Sequence, residues 1–138
     1  AFLRLIMELQ QVGTTALTLR MYVNDKFTDT LYWSQRLLVD GAAISADRIN
    51  SSRVADIAAG EDGFLEMIFG ATGDLVHGQA RLSVISVSGT RIAKIYQYNW
   101  LCTEQMAVFP VMDLQKLELR ASAGQSAGNA RLRVYKLV

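Results

Sequence analysis

The sequence has few of the residues that build disulfide-linked, metal-binding or proline-rich proteins. Among 138 residues it has one cysteine, one histidine and one proline. The single Cys102 excludes an internal disulfide framework, and one proline in a chain that is 51% hydrophobic excludes a disordered linker. No apolar run approaches the roughly 18 residues that a membrane-spanning helix needs. A net charge of +1 provides no general attraction to nucleic acid or membranes. What remains is a single folded domain.

The same scarcity argues against an enzyme or a metal centre. Triads and zinc sites need several histidine, cysteine or carboxylate side chains together, whereas His77 has no acid near it in sequence except Asp74. Pairing of His77 with Cys102 would depend on a coincidence of folding. We therefore expect no catalytic residue, no cofactor and no metal.

The carboxylates also lack a spacing that indicates chemistry. The acidic turns at 60–63 and 73–74 do not follow the calcium-loop pattern, so we expect solvated turn residues there. Glycoside hydrolases use two carboxylates, and the candidate pairs here are Asp29 with Asp113 and Glu104 with Glu118. Nothing in their spacing supports either pair.

The most regular stretch is Ala80 to Trp100, which predicts a long β-hairpin around Ser88, Gly89 and Thr90. Gly89 can take positive φ at no steric cost, as a tight hairpin turn requires. After the turn the side chains alternate between two faces. One face carries Ile92, Lys94, Tyr96, Tyr98 and Trp100, and the other carries Arg91, Ala93, Ile95, Gln97 and Asn99.

Before the turn, apolar residues fall on both faces. Leu82 and Val84 point to one side, and Ile85 and Val87 to the other. Because a strand that is apolar on both faces is usually covered on both, a second cover from another subunit is expected. The predicted trimer interface or binding face consists of Leu82, Val84, Tyr96, Tyr98 and Trp100.

Other period-two segments predict an antiparallel β-sandwich. Strands are expected at 14–23, 27–33, 36–39, 64–69, 114–121 and 130–138, with a turn at Asp40–Gly41, a bend at Pro110 and a small-residue loop at 122–129. Residues 42–60 break the pattern. They allow either a short helix from about Ser52 or a long connection with extended pieces.

The N-terminal segment Phe2 to Val12 has two interpretations. As a helix, Phe2, Ile6 and Leu9 form a stripe that could end a coiled coil. As a strand, its apolar residues alternate with polar ones. Residues 1–13 are thus either the end of a stalk or a first strand, and residues 14–138 form the sandwich. The start at Ala1, without an initiator methionine, suggests a piece of a longer chain.

The strand order, together with the closing strand ARLRVYKLV and the apolar N-terminal segment, resembles a TNF/C1q-like jelly roll at the tip of a bacteriophage tail needle or tail fibre. The resemblance covers the whole chain as a pattern, without a diagnostic motif. It implies a homotrimer on the virion tail tip, exposed outside the host cell. Its partners would be copies of itself and a host cell-surface component such as a glycan or lipopolysaccharide, with no nucleic acid. The alternative is a carbohydrate-binding or capsid-decoration sandwich without a stalk.

Overall fold

The structure is a computed structural model that describes residues 2–10, 15–72, 75–103, 116–121 and 129–137. These residues form ten antiparallel strands and one 3-10 turn, Asp29–Leu31. The strands are β1 Phe2–Gln10, β2 Leu17–Val23, β3 Tyr32–Asp40, β4 Ala43–Ile49, β5 Arg53–Ile57, β6 Glu61–Thr72, β7 Leu75–Val87, β8 Thr90–Cys102, β9 Leu117–Ala121 and β10 Asn129–Leu137.

The strands form two sheets of unequal size. The large sheet has the order β10-β1-β6-β7-β8-β3-β4, and the small sheet has the order β5-β2-β9. Buried apolar side chains of both sheets form one cluster, so the chain is a β-sandwich with its core between the sheets. The predicted all-β antiparallel class is confirmed. We call the face of the large sheet that points away from the small sheet the outer face.

The helical interpretation of the N-terminal segment is wrong. Phe2–Gln10 is strand β1, which pairs along its whole length with β6 on one side and β10 on the other. Its alternate residues Leu5 and Leu9 are buried, whereas Glu8 and Gln10 are exposed. Pairing on both sides satisfies the hydrogen bonds of the strand's backbone N–H and C=O groups. Residues 2–10 therefore contain no helical turn that could end a coiled coil.

The predicted central hairpin is confirmed. Ser88 and Gly89 have φ values of +49° and +83°, the conformation of the tight turns that match strand twist. The turn at Asp40–Gly41 is also present, and Gly41 has a φ of +60°. Residues 27–40, predicted as two strands, form the 3-10 turn and the single strand β3.

The apolar residues on both sides of β7 have a local explanation. Val84 pairs with Gly63 and Ser86 pairs with Asp62, so Ile85 is an extra residue in a β-bulge. The bulge shifts the alternation, and Val87 packs against the same core as Leu82 and Val84. The prediction that Val87 points to the opposite side is therefore wrong, and of these four residues only Ile85 is exposed, at 56%.

Glycine is required opposite the bulge. A Cβ added at Gly63 would lie 2.1 Å from the carbonyl oxygen of Ser83 and 3.0 Å from Cα of Val84. These contacts are with backbone atoms of a paired strand, which have little freedom to move. The bulge of β7 and Gly63 of β6 thus depend on each other.

Residues 42–60 do not contain the short helix, and the extended pieces of the alternative interpretation are two paired strands. They form the edge strand β4 and the buried strand β5. Several sequence predictions lie outside the described residues: the bend at Pro110, the start of the strand predicted at 114–121, the loop at 122–128, and the residues Asp74, Glu104 and Asp113.

Tyrosine hydroxyls join the two sheets. Tyr32, fully buried on β3, accepts a hydrogen bond from the Val23 N–H at 3.1 Å and donates one to the Lys26 carbonyl at 2.7 Å. Tyr98, fully buried on β8, accepts a hydrogen bond from the Asp56 N–H at 2.7 Å. Each ring fills the core and each hydroxyl satisfies backbone groups that would otherwise be buried without a partner.

Candidate functional site

The five residues predicted as an interface lie inside the sandwich. Leu82, Val84, Tyr96, Tyr98 and Trp100 are between 0% and 5% exposed in the single chain. They occupy one face of the central hairpin, as predicted, and that face packs on the small sheet. A partner that approaches this hairpin would meet its outer face instead.

The outer face carries a groove of about 650 Å³ over strands β7, β8, β3 and β4. Two rows of side chains cross these strands in register. His77 pairs with Leu101 and Leu101 with Trp33, while the next row is Gln79, Asn99, Gln35 and Arg48. These side chains line the groove together with Gly78 and Trp100.

Strand alternation explains how the groove forms. Tyr32 and Ser34 of β3 are fully buried. Because successive residues of a strand point to opposite faces, Trp33 and Gln35 point outward. In the same way, Trp100 and Cys102 are buried and Asn99 is exposed. Neighbouring strands in antiparallel register then bring residues that are far apart in sequence to one surface.

Trp33 is the most prominent side chain of the groove. It is 40% exposed, although a large aromatic ring of this kind usually packs in a core. The Arg48 guanidinium carbon lies 5.7 Å from the centroid of its ring, within the range of a cation–π contact. An exposed ring beside amide groups provides an apolar plane and hydrogen-bonding groups within one concave surface.

A smaller depression continues the groove along the outer face. It encloses about 190 Å³ and shares Gln79 with the groove. Its other polar lining residues are Glu66, Arg81 and Gln97, and Glu66 is paired with Arg4. The two depressions together provide room for a ligand longer than one small ring.

A polar cluster lies at the edge of the core, on the opposite side of the large sheet from the groove. Arg53 contacts Asp47 at 2.8 Å, and Arg36 contacts Asp47 at 3.0 Å and Asp56 at 3.1 Å. The hydrogen bond from Arg53 is the main reason why the pKa of Asp47 is below its ordinary value of 3.8. Because each carboxylate is held by an arginine, the cluster is suited to stabilising the fold rather than to proton transfer.

Tyr98 borders this cluster and is not suited to acid–base chemistry either. Burial raises the pKa of its phenol far above the ordinary value of 10.0, and the charge of Asp56 raises it further. The Arg53 guanidinium carbon lies 5.6 Å from the Tyr98 ring centroid. The hydroxyl therefore stays protonated at ordinary pH and acts as a fixed donor and acceptor.

Glu61 is a correction to the sequence analysis, which expected a solvated turn residue. Its side chain is 1% exposed at the start of β6. One carboxylate oxygen accepts a hydrogen bond from the Ala58 N–H at 2.6 Å, and the other lies 3.1 Å from Lys94 Nζ. Burial lowers the pKa of Lys94, but hydrogen bonds with Tyr96 and Glu61 outweigh it and raise the pKa. Glu61 is therefore the buried partner in an ion pair with Lys94.

The described residues bring no nucleophile and base together at His77. His77 lines the outer groove, whereas Cys102, on the paired strand, is fully buried in the core on the opposite face. Within the described ranges no group of three or more histidine, cysteine or carboxylate side chains is arranged to hold a metal ion. No helix in that part of the chain is long and apolar enough to cross a membrane.

No family model, curated protein or solved structure matches this chain. The site is therefore interpreted from its own residues.

The groove was not predicted from the sequence, although part of its face was assigned correctly. Asn99 of the groove and Gln97 of the smaller depression were placed on the face opposite the tyrosines, but no function was assigned to that face. Trp33, Arg48 and Gln79 received no role because each is unremarkable in its own segment. An available signal was the position of Trp33 next to Tyr32, since two successive strand residues point to opposite faces and only one can enter the core.

Proposed function

We propose that this chain is a non-enzymatic β-sandwich domain that binds a cell-surface glycan through the outer groove. The observation that carries the proposal is the exposed Trp33 ring beside Gln35, Gln79 and Asn99 in one concave surface. A sugar ring has apolar C–H faces that pack on an aromatic plane and hydroxyl groups that exchange hydrogen bonds with amides. The volume of about 650 Å³ lies within the range of small-molecule sites.

The setting that we propose is the tip of a bacteriophage tail needle or fibre, with a TNF-like jelly roll exposed outside the host cell. The resemblance in strand pattern and the sandwich architecture support this setting, whereas the stalk part of the resemblance has no support because residues 2–10 form strand β1. Host glycan or lipopolysaccharide would be the receptor. The capsid-decoration alternative is compatible with the same groove.

Trp33→Ala is expected to abolish glycan binding while leaving the fold intact. Stacking on an aromatic face contributes a large part of the contact area in such a groove, whereas Trp33 contributes little to the core. A glycan array should identify ligands of the wild type, and calorimetry should then give at least a tenfold weaker affinity for the variant, or no binding.

The matched control is Phe27→Ala, which removes an aromatic ring of similar exposure, 39%, that contacts Tyr22 and Arg120 of the small sheet and does not line the groove. This variant should bind as the wild type does. Equal glycan binding by the wild type and Trp33→Ala, or no binding to any glycan on the array, would contradict the proposed function.

A homotrimer is a second proposal, supported by an apolar row on the outer face. The row crosses strands β6, β8, β3 and β4 and consists of Phe64, Ile95, Val39 and Ile44, with Ser83 of β7 between the first two. Phe64 is 43% and Ile44 is 71% exposed. Copies related by threefold symmetry would cover this row in a closed ring. Ile95 is four residues from Asn99, roughly 13 Å along the strand, so a contact at the row could leave the groove open.

Ile44→Lys combined with Phe64→Lys is expected to convert a trimer to a monomer, because two lysines in each copy would be buried at the contact. Light scattering at micromolar concentration should give three times the 15.3 kDa chain mass for the wild type and the single chain mass for the variant. Thr28→Lys, on an exposed loop, should leave the mass unchanged. A monomeric wild type would exclude the trimer and, with it, the fibre-tip setting.

A further inference from the structure

We infer that the groove recognises a sugar that bears a carboxylate, with Arg48 as the residue that binds the acid group. The inference rests on the proposed glycan function and deepens it by naming the ligand class. It depends on the charge of the groove lining, on the contacts of Arg48 and on the position of Arg48 relative to Trp33.

The groove lining has a positive charge and no acid. Its outward side chains are Trp33, Gln35, Arg48, His77, Gln79, Asn99 and Leu101. When His77 is neutral, Arg48 is the only charged side chain in this set. A carboxylate placed here would meet one guanidinium and several amide groups, and no repelling charge from the lining itself.

Arg48 is available to a ligand. Within the part of the chain that the structure describes, it forms no hydrogen bond or ion pair with a carboxylate, and its one aromatic contact is with the Trp33 ring. The arginines of the polar cluster behave differently, since Arg36 and Arg53 are each engaged by Asp47. A guanidinium matches a carboxylate with two parallel hydrogen bonds, so an unengaged arginine in a groove is a suitable acid-binding group.

The position of Arg48 also fits a sugar that carries its acid group next to the ring. Its guanidinium carbon lies over the Trp33 ring, 5.7 Å from the centroid, so its N–H groups are beside any ligand that contacts the indole. A pyranose on the indole would therefore direct a ring carboxylate toward Arg48 and its hydroxyl groups toward Gln35, Gln79 and Asn99. Trp33 would provide affinity for any sugar, and Arg48 would select the acidic one.

The test compares two acidic sugars with their neutral counterparts by calorimetry. Trigalacturonic acid is compared with galactotriose, and sialyllactose with lactose, so that uronic acids and keto-acid sugars are tested separately. At least one acidic sugar should bind about tenfold or more tightly than its neutral counterpart, as expected for a hydrogen bond to a charged group. Arg48→Gln should remove the difference in affinity between that acidic sugar and its neutral counterpart.

Arg91→Gln is the matched control, because it removes the same charge from an exposed position of β8 outside the groove. It should keep the preference for the acid. Equal binding within both pairs, a preference that survives Arg48→Gln, or equally tight binding of lactose sulfate would overturn the carboxylate inference. In each of these cases, glycan binding that depends on Trp33 would leave the proposed function standing. Failure of all four sugars overturns the inference, whereas the proposed function fails only if no glycan on the array binds or if glycan binding does not depend on Trp33.

Discussion

Lys94→Met is expected to lower the free energy of unfolding by about 3–5 kcal/mol, because it leaves the buried Glu61 carboxylate without its charged partner. Glu61 is 1% exposed and the Lys94 side chain is 13% exposed, so the carboxylate has little access to water that could replace the ammonium group. Urea denaturation followed by tryptophan fluorescence gives the free energy of unfolding for both proteins.

The double variant Lys94→Met with Glu61→Gln separates the buried charge from the loss of packing. A neutral glutamine keeps an oxygen for the Ala58 N–H and carries no charge, so the double variant should recover most of the lost stability. A loss of less than about 1 kcal/mol in Lys94→Met, a value typical of exposed ion pairs, would show that Glu61 is not buried as described.

Tyr98→Ala is expected to destabilise the protein by about 3–5 kcal/mol, as removal of a large core aromatic ring usually does. Tyr98 is fully buried, and its hydroxyl accepts the Asp56 N–H that lies on the small sheet. Tyr98→Phe should cost about 1–3 kcal/mol, since it leaves that N–H without its partner. Both values come from urea denaturation.

Ile95→Ala is the matched variant on the opposite face of the same strand. Ile95 points to the outer face, so its truncation should change the stability of the single chain by much less than Tyr98→Ala does. Its effect should be on assembly, if the apolar row is the contact between copies. Similar losses of chain stability in both variants would contradict the assignment of the two faces of β8.

Alternation located the strands whose two faces have different environments. In β2, Leu17, Leu19, Met21 and Val23 are buried, while Thr18 and Arg20 are only half-buried. The hairpin of β7 and β8 could be predicted for the same reason, with its turn fixed by Gly89. These strands can be predicted because apolar and polar side chains alternate along them with a period of two residues.

Edge and doubly buried strands gave no such pattern. Most residues of β4 are exposed on both faces, and most residues of β5 are buried on both, so residues 42–60 did not read as strands. The bulge at Ile85 made the predicted direction of Val87 wrong, because one extra residue reverses the face of every residue after it. The sequence of β1 fitted both the helical and the strand period. Only its pairing with β6 and β10 shows that it is a strand.

The groove could not be predicted because it depends on the order of strands in the sheet. Trp33, His77 and Asn99 are far apart in sequence and meet only because β3, β8 and β7 are neighbours. Outward polar residues on a strand look the same in sequence whether they face water or line a site. The aromatic residues that did attract notice, Tyr96, Tyr98 and Trp100, were conspicuous because they build the core.

Nuclear magnetic resonance of the indole N–H groups tests the central claim most directly. The chain has two tryptophans, Trp33 and Trp100, and Trp33→Phe assigns the two indole signals. On addition of a glycan that the array identifies, the Trp33 signal should move in a saturable way, together with the backbone signals of Gln79 and Asn99. Binding that shifts signals elsewhere and leaves Trp33, Gln79 and Asn99 unchanged would contradict the account.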